Sequence, residues 1–76
     1  MITVRYFAGA RAAAGVPEAQ LAGGTSIAEL AADARPELAK VLAAASFLVD
    51  GVAWRDRDAA LPDGCTLDVL PPFAGG

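Results

Sequence analysis

Thr25-Ser26-Ile27-Ala28-Glu29-Leu30-Ala31-Ala32-Asp33-Ala34 is the stretch that decides the fold, because it places a helix between two groups of strands. Ser26 followed three residues later by Glu29 has capping-box spacing: the serine hydroxyl accepts from the Glu29 amide, and the glutamate side chain reaches back. Ile27, Leu30, Ala31 and Ala34 then recur at i, i+3, i+4 and i+7. That is one narrow apolar stripe for a sheet, with Glu29 and Asp33 turned to water. Pro36 disfavours helical geometry at Arg35 but suits the first turn of a new segment, in which Leu38, Val41 and Leu42 make a second apolar face. The spacing predicts one kinked helix or two abutting ones.

Upstream of the Gly23-Gly24 turn, residues 1–7 alternate Ile2, Val4 and Tyr6 against Thr3, Arg5 and Phe7, a strand pattern from the first residue. The Ile2 and Val4 side is expected in the core, which leaves Phe7 opposite, under a loop or against a partner. Ala8 to Ala14 predicts a short helical turn, broken by Gly15-Val16-Pro17, and Glu18-Ala19-Gln20-Leu21-Ala22 reads as the second strand of a hairpin. Downstream, Phe47-Leu48-Val49 and Val52-Ala53-Trp54 flank Asp50-Gly51, a dipeptide suited to positive φ in a tight hairpin. Arg55-Asp56-Arg57-Asp58 reads as a solvated loop, since charges at that density are costly to bury. Leu61 re-enters the core, Pro62-Asp63-Gly64 turns, and Thr66-Leu67-Asp68-Val69-Leu70 alternates as the last strand. The order predicts an α+β domain over residues 1–70 in a β-grasp (ubiquitin-like) layout: a mixed sheet of four to five strands packed on one main helix. In that layout the first and last strands are parallel neighbours, joined through a helical crossover.

Seventy-six residues allow one small domain with little room for a deep catalytic cavity. A net charge of −3 with no basic cluster argues against nucleic acid as a partner. With no histidine and only Cys65, there is no zinc or iron–sulfur ligand set and no internal disulfide, so no bound metal or cofactor is expected. No run is long and apolar enough for a membrane span, and no signal-peptide layout opens the chain, so a cytoplasmic location is expected.

Residues 71–76 form the feature most open to chemistry. In Leu70-Pro71-Pro72-Phe73-Ala74-Gly75-Gly76 the prolines fix φ and remove two amide donors, so the chain is expected to leave the sheet as an extended tail. Phe73 adds an apolar ring, and Ala74, Gly75 and Gly76 carry so little side chain that they could thread a narrow channel. The reactive group left at the end is the Gly76 carboxylate.

These residues resemble the ubiquitin-like sulfur carriers, above all the small subunit of molybdopterin synthase and less closely the thiamine-pathway carrier. The resemblance spans the chain: Val4-Arg5-Tyr6-Phe7-Ala8 with Arg11 and Gly15, the helix start at residues 25–30, Leu61 with Asp63-Gly64, and the Pro-Pro tail. One departure is Asp63-Gly64-Cys65, where the family often has Asp-Gly-Asp; Cys65 reads as a small apolar residue and not a sulfur relay. The resemblance implies that a ubiquitin-activating-type adenylyltransferase uses ATP and magnesium to adenylate Gly76. A sulfur donor, such as a cysteine desulfurase or rhodanese, then displaces AMP to leave a thiocarboxylate. It also implies that the tail enters a large molybdopterin synthase subunit, in a heterotetramer, where the pterin precursor is held. The chain would then be a non-catalytic carrier, with Gly76 as the reacting terminus, Gly75 and Ala74 threading, and Phe73, Pro72, Pro71, Leu70 and Phe7 docking on the partner. Other readings share these features: a carrier for thiamine, cysteine or another sulfur metabolite, a modifier that joins Gly76 to lysines, or a plain interaction domain.

Overall fold

The computed structural model describes residues 1–72. Along the chain run β1 (Ile2–Tyr6), α1 (Ala8–Ala14), β2 (Glu18–Leu21), α2 (Ile27–Asp33), α3 (Pro36–Ala44), β3 (Ser46–Val49), β4 (Val52–Ala53) and β5 (Thr66–Leu70). They make a five-stranded mixed sheet in the order β2-β1-β5-β3-β4, with β5 in the middle. β5 runs parallel to β1, with Val4 beside Leu67 and Tyr6 beside Val69. On its other side it runs antiparallel to β3, with Phe47 beside Val69 and Val49 beside Leu67. This is the expected β-grasp topology.

The registered residues Ile2, Val4, Tyr6, Phe47, Val49, Leu67 and Val69 are all buried on one side of the sheet, together with Ile27, Leu30, Leu38 and Leu42 from the helices. The helical layer resolves the Pro36 alternative in favour of two helices. Arg35 is extended (ψ 155°) and Pro36 takes the first helical position of α3, where its missing amide costs no hydrogen bond. α2 opens with both halves of its capping box: the Glu29 amide donates to Ser26 Oγ at 3.1 Å, and the Ser26 amide to Glu29 Oε1 at 3.0 Å. Ser26 is also buried, so Ser26→Ala removes the cap with no water to replace it. A loss of about 1 kcal/mol is expected, a fall of about 4–8 °C in midpoint on thermal unfolding. An unchanged midpoint would mean that the box contributes nothing.

Asp50 (φ 48°) and Gly51 (φ 84°) both take positive φ, the two-residue turn expected between β3 and β4. The return strand is shorter than its sequence suggests. It stops at Ala53, and the Trp54 indole N–H turns away to donate to the Asp56 carbonyl at 2.9 Å.

The solvated loop expected over residues 55–58 needs correction at Arg57. Its Nη1 donates to the Leu42 carbonyl at 2.8 Å, and its Nη2 to those of Ala43 and Ala45 at 3.3 and 3.2 Å. These carbonyls lie at the end of α3, where the i+4 amides of a continuing helix are missing and the Leu42 carbonyl keeps only a 3.3 Å bond from the Ala45 amide. The same guanidinium lies 4.9 Å from the Phe47 ring centroid, and the Arg57 carbonyl accepts from the Ala28 amide in the first turn of α2. One residue therefore ties α2, α3 and β3 together, while Arg55, Asp56 and Asp58 remain exposed. Among the described residues no helix is long and apolar enough to cross a membrane.

Candidate functional site

Helices cover one side of the sheet, so the alternate residues of β1, β5 and β3 define an opposite, open face. The register sets Thr3 beside Thr66, Arg5 beside Asp68, Leu48 beside Asp68 and Ser46 beside Leu70 on that face. At its upper end β5 gives way to half-buried Pro71 and exposed Pro72. The ladder stops here for the reason the sequence suggests, since neither proline has an amide to donate. The tail thus leaves from the centre of the sheet and not from an edge. Phe73, Ala74, Gly75 and Gly76, the residues expected to dock, thread and react, lie outside the described residues.

Phe7 stands at the root of the tail. Phe7 and Leu70 follow directly on the registered pair Tyr6 and Val69, and the Phe7 amide donates to the Val69 carbonyl at 3.3 Å. The Phe7 side chain is exposed and Leu70 is half-buried, and they make an apolar end to the open face, with half-buried Leu48 one step down beside Asp68. Three of the residues expected to bind a partner, Phe7, Leu70 and Pro71, are therefore at one place, with Pro72 next along the chain.

Below this apolar end lies an ion pair that the alternation of residues 1–7 does not announce. Arg5 Nε donates to Asp68 Oδ1 at 2.7 Å and Nη2 to Oδ2 at 2.9 Å, a two-pronged contact. Asp68 is almost covered, whereas the Arg5 side chain is half exposed, and the Arg5 guanidinium lies 5.6 Å from the Phe7 ring centroid. The hydrogen bonds to Asp68, and then its charge, raise the Arg5 pKa further above its ordinary value. Sixty-three positions separate the two residues, so no local pattern joins them. The signal available was the parallel pairing of β1 and β5, which puts the second polar residue of each strand side by side.

Cys65 is buried, and burial, followed by the nearby Asp50 charge, pushes its thiol pKa up. That disfavours the thiolate, in keeping with a packing residue. Among the described residues no group of three or more His, Cys, Asp or Glu is placed to hold a metal ion. What the domain presents is an open sheet face with a tail root at one end.

The ThiS family model matches residues 4–76. The chain belongs to the ThiS family. No curated protein matches this ThiS-family chain. Among solved structures it is similar to a molybdopterin converting factor subunit 1 from Pyrococcus furiosus, with 26% identity and a TM-score of 0.67, over 95% of this chain and 97% of that one. A second similar structure is a complex of subunits 1 and 2 of the molybdopterin-converting factor of Helicobacter pylori (21% identity, TM-score 0.69, 99% and 97% of the two chains). A third is small archaeal modifier protein 1 of Haloferax volcanii (22% identity, TM-score 0.67, 95% and 97%). The fold of this ThiS-family member is thus one used by converting-factor subunits and by a protein modifier alike.

Proposed function

We propose that this ThiS-family protein is a sulfur carrier and serves as the small subunit of molybdopterin synthase. The observation that carries the reading is the family match through the final Gly-Gly, on a chain whose tail leaves from the central strand beside an apolar docking face. An α-carboxylate has a pKa of about 3.3–3.7 and resists nucleophiles at neutral pH, so Gly76 requires activation. Attack of its oxygen on the α-phosphorus of ATP, with magnesium, expels pyrophosphate and gives an acyl-adenylate. The terminal sulfur of a donor persulfide then attacks the carbonyl and displaces AMP, and a thiol cleaves the resulting acyl disulfide, forming a disulfide with the donor cysteine and releasing the thiocarboxylate. That group is a good nucleophile, and its tether delivers it to the acceptor at high effective concentration without release of free sulfide.

The open face suits the remainder of the task. Phe7, Leu70 and Pro71 give the receiving protein an apolar surface at the point where the tail departs. A large subunit would supply the groups that bind the phosphorylated pterin precursor, in line with the two-subunit complex among the similar structures. The similarity to a small archaeal modifier protein favours a second reading, in which activated Gly76 is joined to lysine amines.

The intact mass of the chain, isolated from its native cell under mild reduction, tests both. Replacement of one oxygen by sulfur, localised to Gly76 by fragmentation, is the expected result. Gly76 found in amide linkage to lysines of other proteins, with no thiocarboxylate, would establish the modifier instead. A terminus left unmodified even with ATP, a matched activating enzyme and a sulfur donor would sink both.

A further inference from the structure

We infer that Asp68 and Arg5 are positioning residues of the docking face, which hold the Phe7 ring in place for the apolar protein surface that receives the tail. The inference rests on the carrier reading for what that surface belongs to, but its physical content lies in the free chain. An exposed phenylalanine at the end of a strand would ordinarily exchange between rotamers. Here the Arg5 guanidinium lies within cation–π range of the ring, at 5.6 Å from its centroid. Arginine alone is a long, adaptable side chain and could not hold anything. It is fixed in turn by the two-pronged contact to Asp68, at 2.7 and 2.9 Å. Asp68 belongs to the central strand and is itself 7% exposed, so it moves only with the sheet.

The backbone at the same corner is held independently. Ala8, directly after Phe7, sits at φ 48°, a left-handed conformation that L-alanine rarely adopts. Hydrogen bonds on both sides of Phe7 keep it there: the Phe7 amide to the Val69 carbonyl, and the Ala10 amide to the Phe7 carbonyl at 3.0 Å. Strained backbone persists where its surroundings over-determine it, and such places cluster at functional surfaces. Side-chain and backbone constraints thus converge on one exposed ring beside the tail root. An ordered ring does not have to be immobilised on binding, which is where the gain in affinity arises.

Two measurements decide the matter. In the free chain, Arg5 is expected to show a slowly exchanging Nε–H signal and cross-relaxation between its side chain and the Phe7 ring. Asp68→Asn, which keeps the shape and loses the charge, is expected to abolish both; their retention would overturn the inference. Affinity for the molybdopterin synthase large subunit of the same organism supplies the second measurement, under conditions where thermal unfolding shows every variant folded. Asp68→Asn and Arg5→Lys are each expected to weaken binding about three- to ten-fold, the effect of freeing one side chain. In a Phe7→Ala background the Asp68→Asn effect should vanish, because there is no ring left to position. Equal losses in both backgrounds would show that Asp68 acts by another route and would overturn the inference. If the unaltered chain does not bind the large subunit, the assigned partner falls, and the free-chain signals alone decide whether Asp68 and Arg5 order Phe7.

Discussion

A chain with one alanine added after Gly76 is expected to keep its fold and its docking face yet form no C-terminal adenylate and no thiocarboxylate. The added residue moves the carboxylate by up to about 3.5 Å along an extended tail. It also puts a methyl group where the sequence has only glycine. Misplacing reacting atoms by about 1 Å can cost about a hundredfold in rate, so a loss of at least that size is expected. ATP–pyrophosphate exchange with the activating enzyme reads the first step, and intact mass reads the second. An extended chain activated at the unaltered rate would show that the chemistry does not depend on a carboxylate placed at Gly76, whereas no activation of either chain would leave an interaction domain as the better reading. Comparison with a Phe7→Ala chain sharpens the result, because that variant should bind the partner more weakly while its terminus remains competent once bound.

Arg57→Ala should cost about 2–3 kcal/mol, the largest stability effect expected from any single charged residue in the described structure. The substitution removes charge-assisted hydrogen bonds to three carbonyls at the end of α3 and the contact with the Phe47 ring. Each charge-assisted hydrogen bond is worth roughly 1.5–3 kcal/mol where it is shielded. Arg57 is only partly covered, so the sum is discounted heavily for water that can take its place. For a domain of this size the midpoint of thermal unfolding should fall by about 10–20 °C. Arg57→Lys should recover only part of the loss, since one ammonium cannot reproduce a planar fork shared among several acceptors. Arg55→Ala, two residues away and exposed, should change stability by no more than about 0.5 kcal/mol. Equal effects at Arg55 and Arg57 would mean that the hydrogen bonds at the end of α3 carry no weight.

These two arginines show where the sequence was legible and where it was not. Local rules worked wherever the physics was local. Ser26 and Glu29 announce their reciprocal cap, Asp50-Gly51 its turn and Pro36 its helix start. The alternation of residues 2–6 and 66–70 gave the two strands, and the crossover between them gave their parallel pairing. Arg55-Asp56-Arg57-Asp58 defeats such a rule, because every residue in it looks equally hydrated. What singles out Arg57 is a set of carbonyls 12 to 15 residues earlier, gathered where α3 stops at Ala44.

Arg5 and Asp68 were hidden for a related reason. Each reads as a polar residue on the outer side of its strand, and that is correct. Their contact depends on register, which alternation leaves open. Of the residues expected to dock, Phe7, Leu70 and Pro71 lie together at one end of the sheet. Their common location follows from the β1–β5 pairing, whereas the guanidinium that accompanies Phe7 does not follow from any spacing.

The central place of β5 has a mechanical consequence. A partner that draws the tail into a channel pulls along the axis of a strand bonded on both sides, to β1 over Thr66–Val69 and to β3 over Leu67–Leu70. Hydrogen bonds perpendicular or slanted to that pull are loaded in shear, and many must give way at once. A tail attached to an edge strand could be peeled off one bond at a time. Here tension is spread across the middle of the sheet, so the domain can serve as a rigid handle while its last residues are drawn taut.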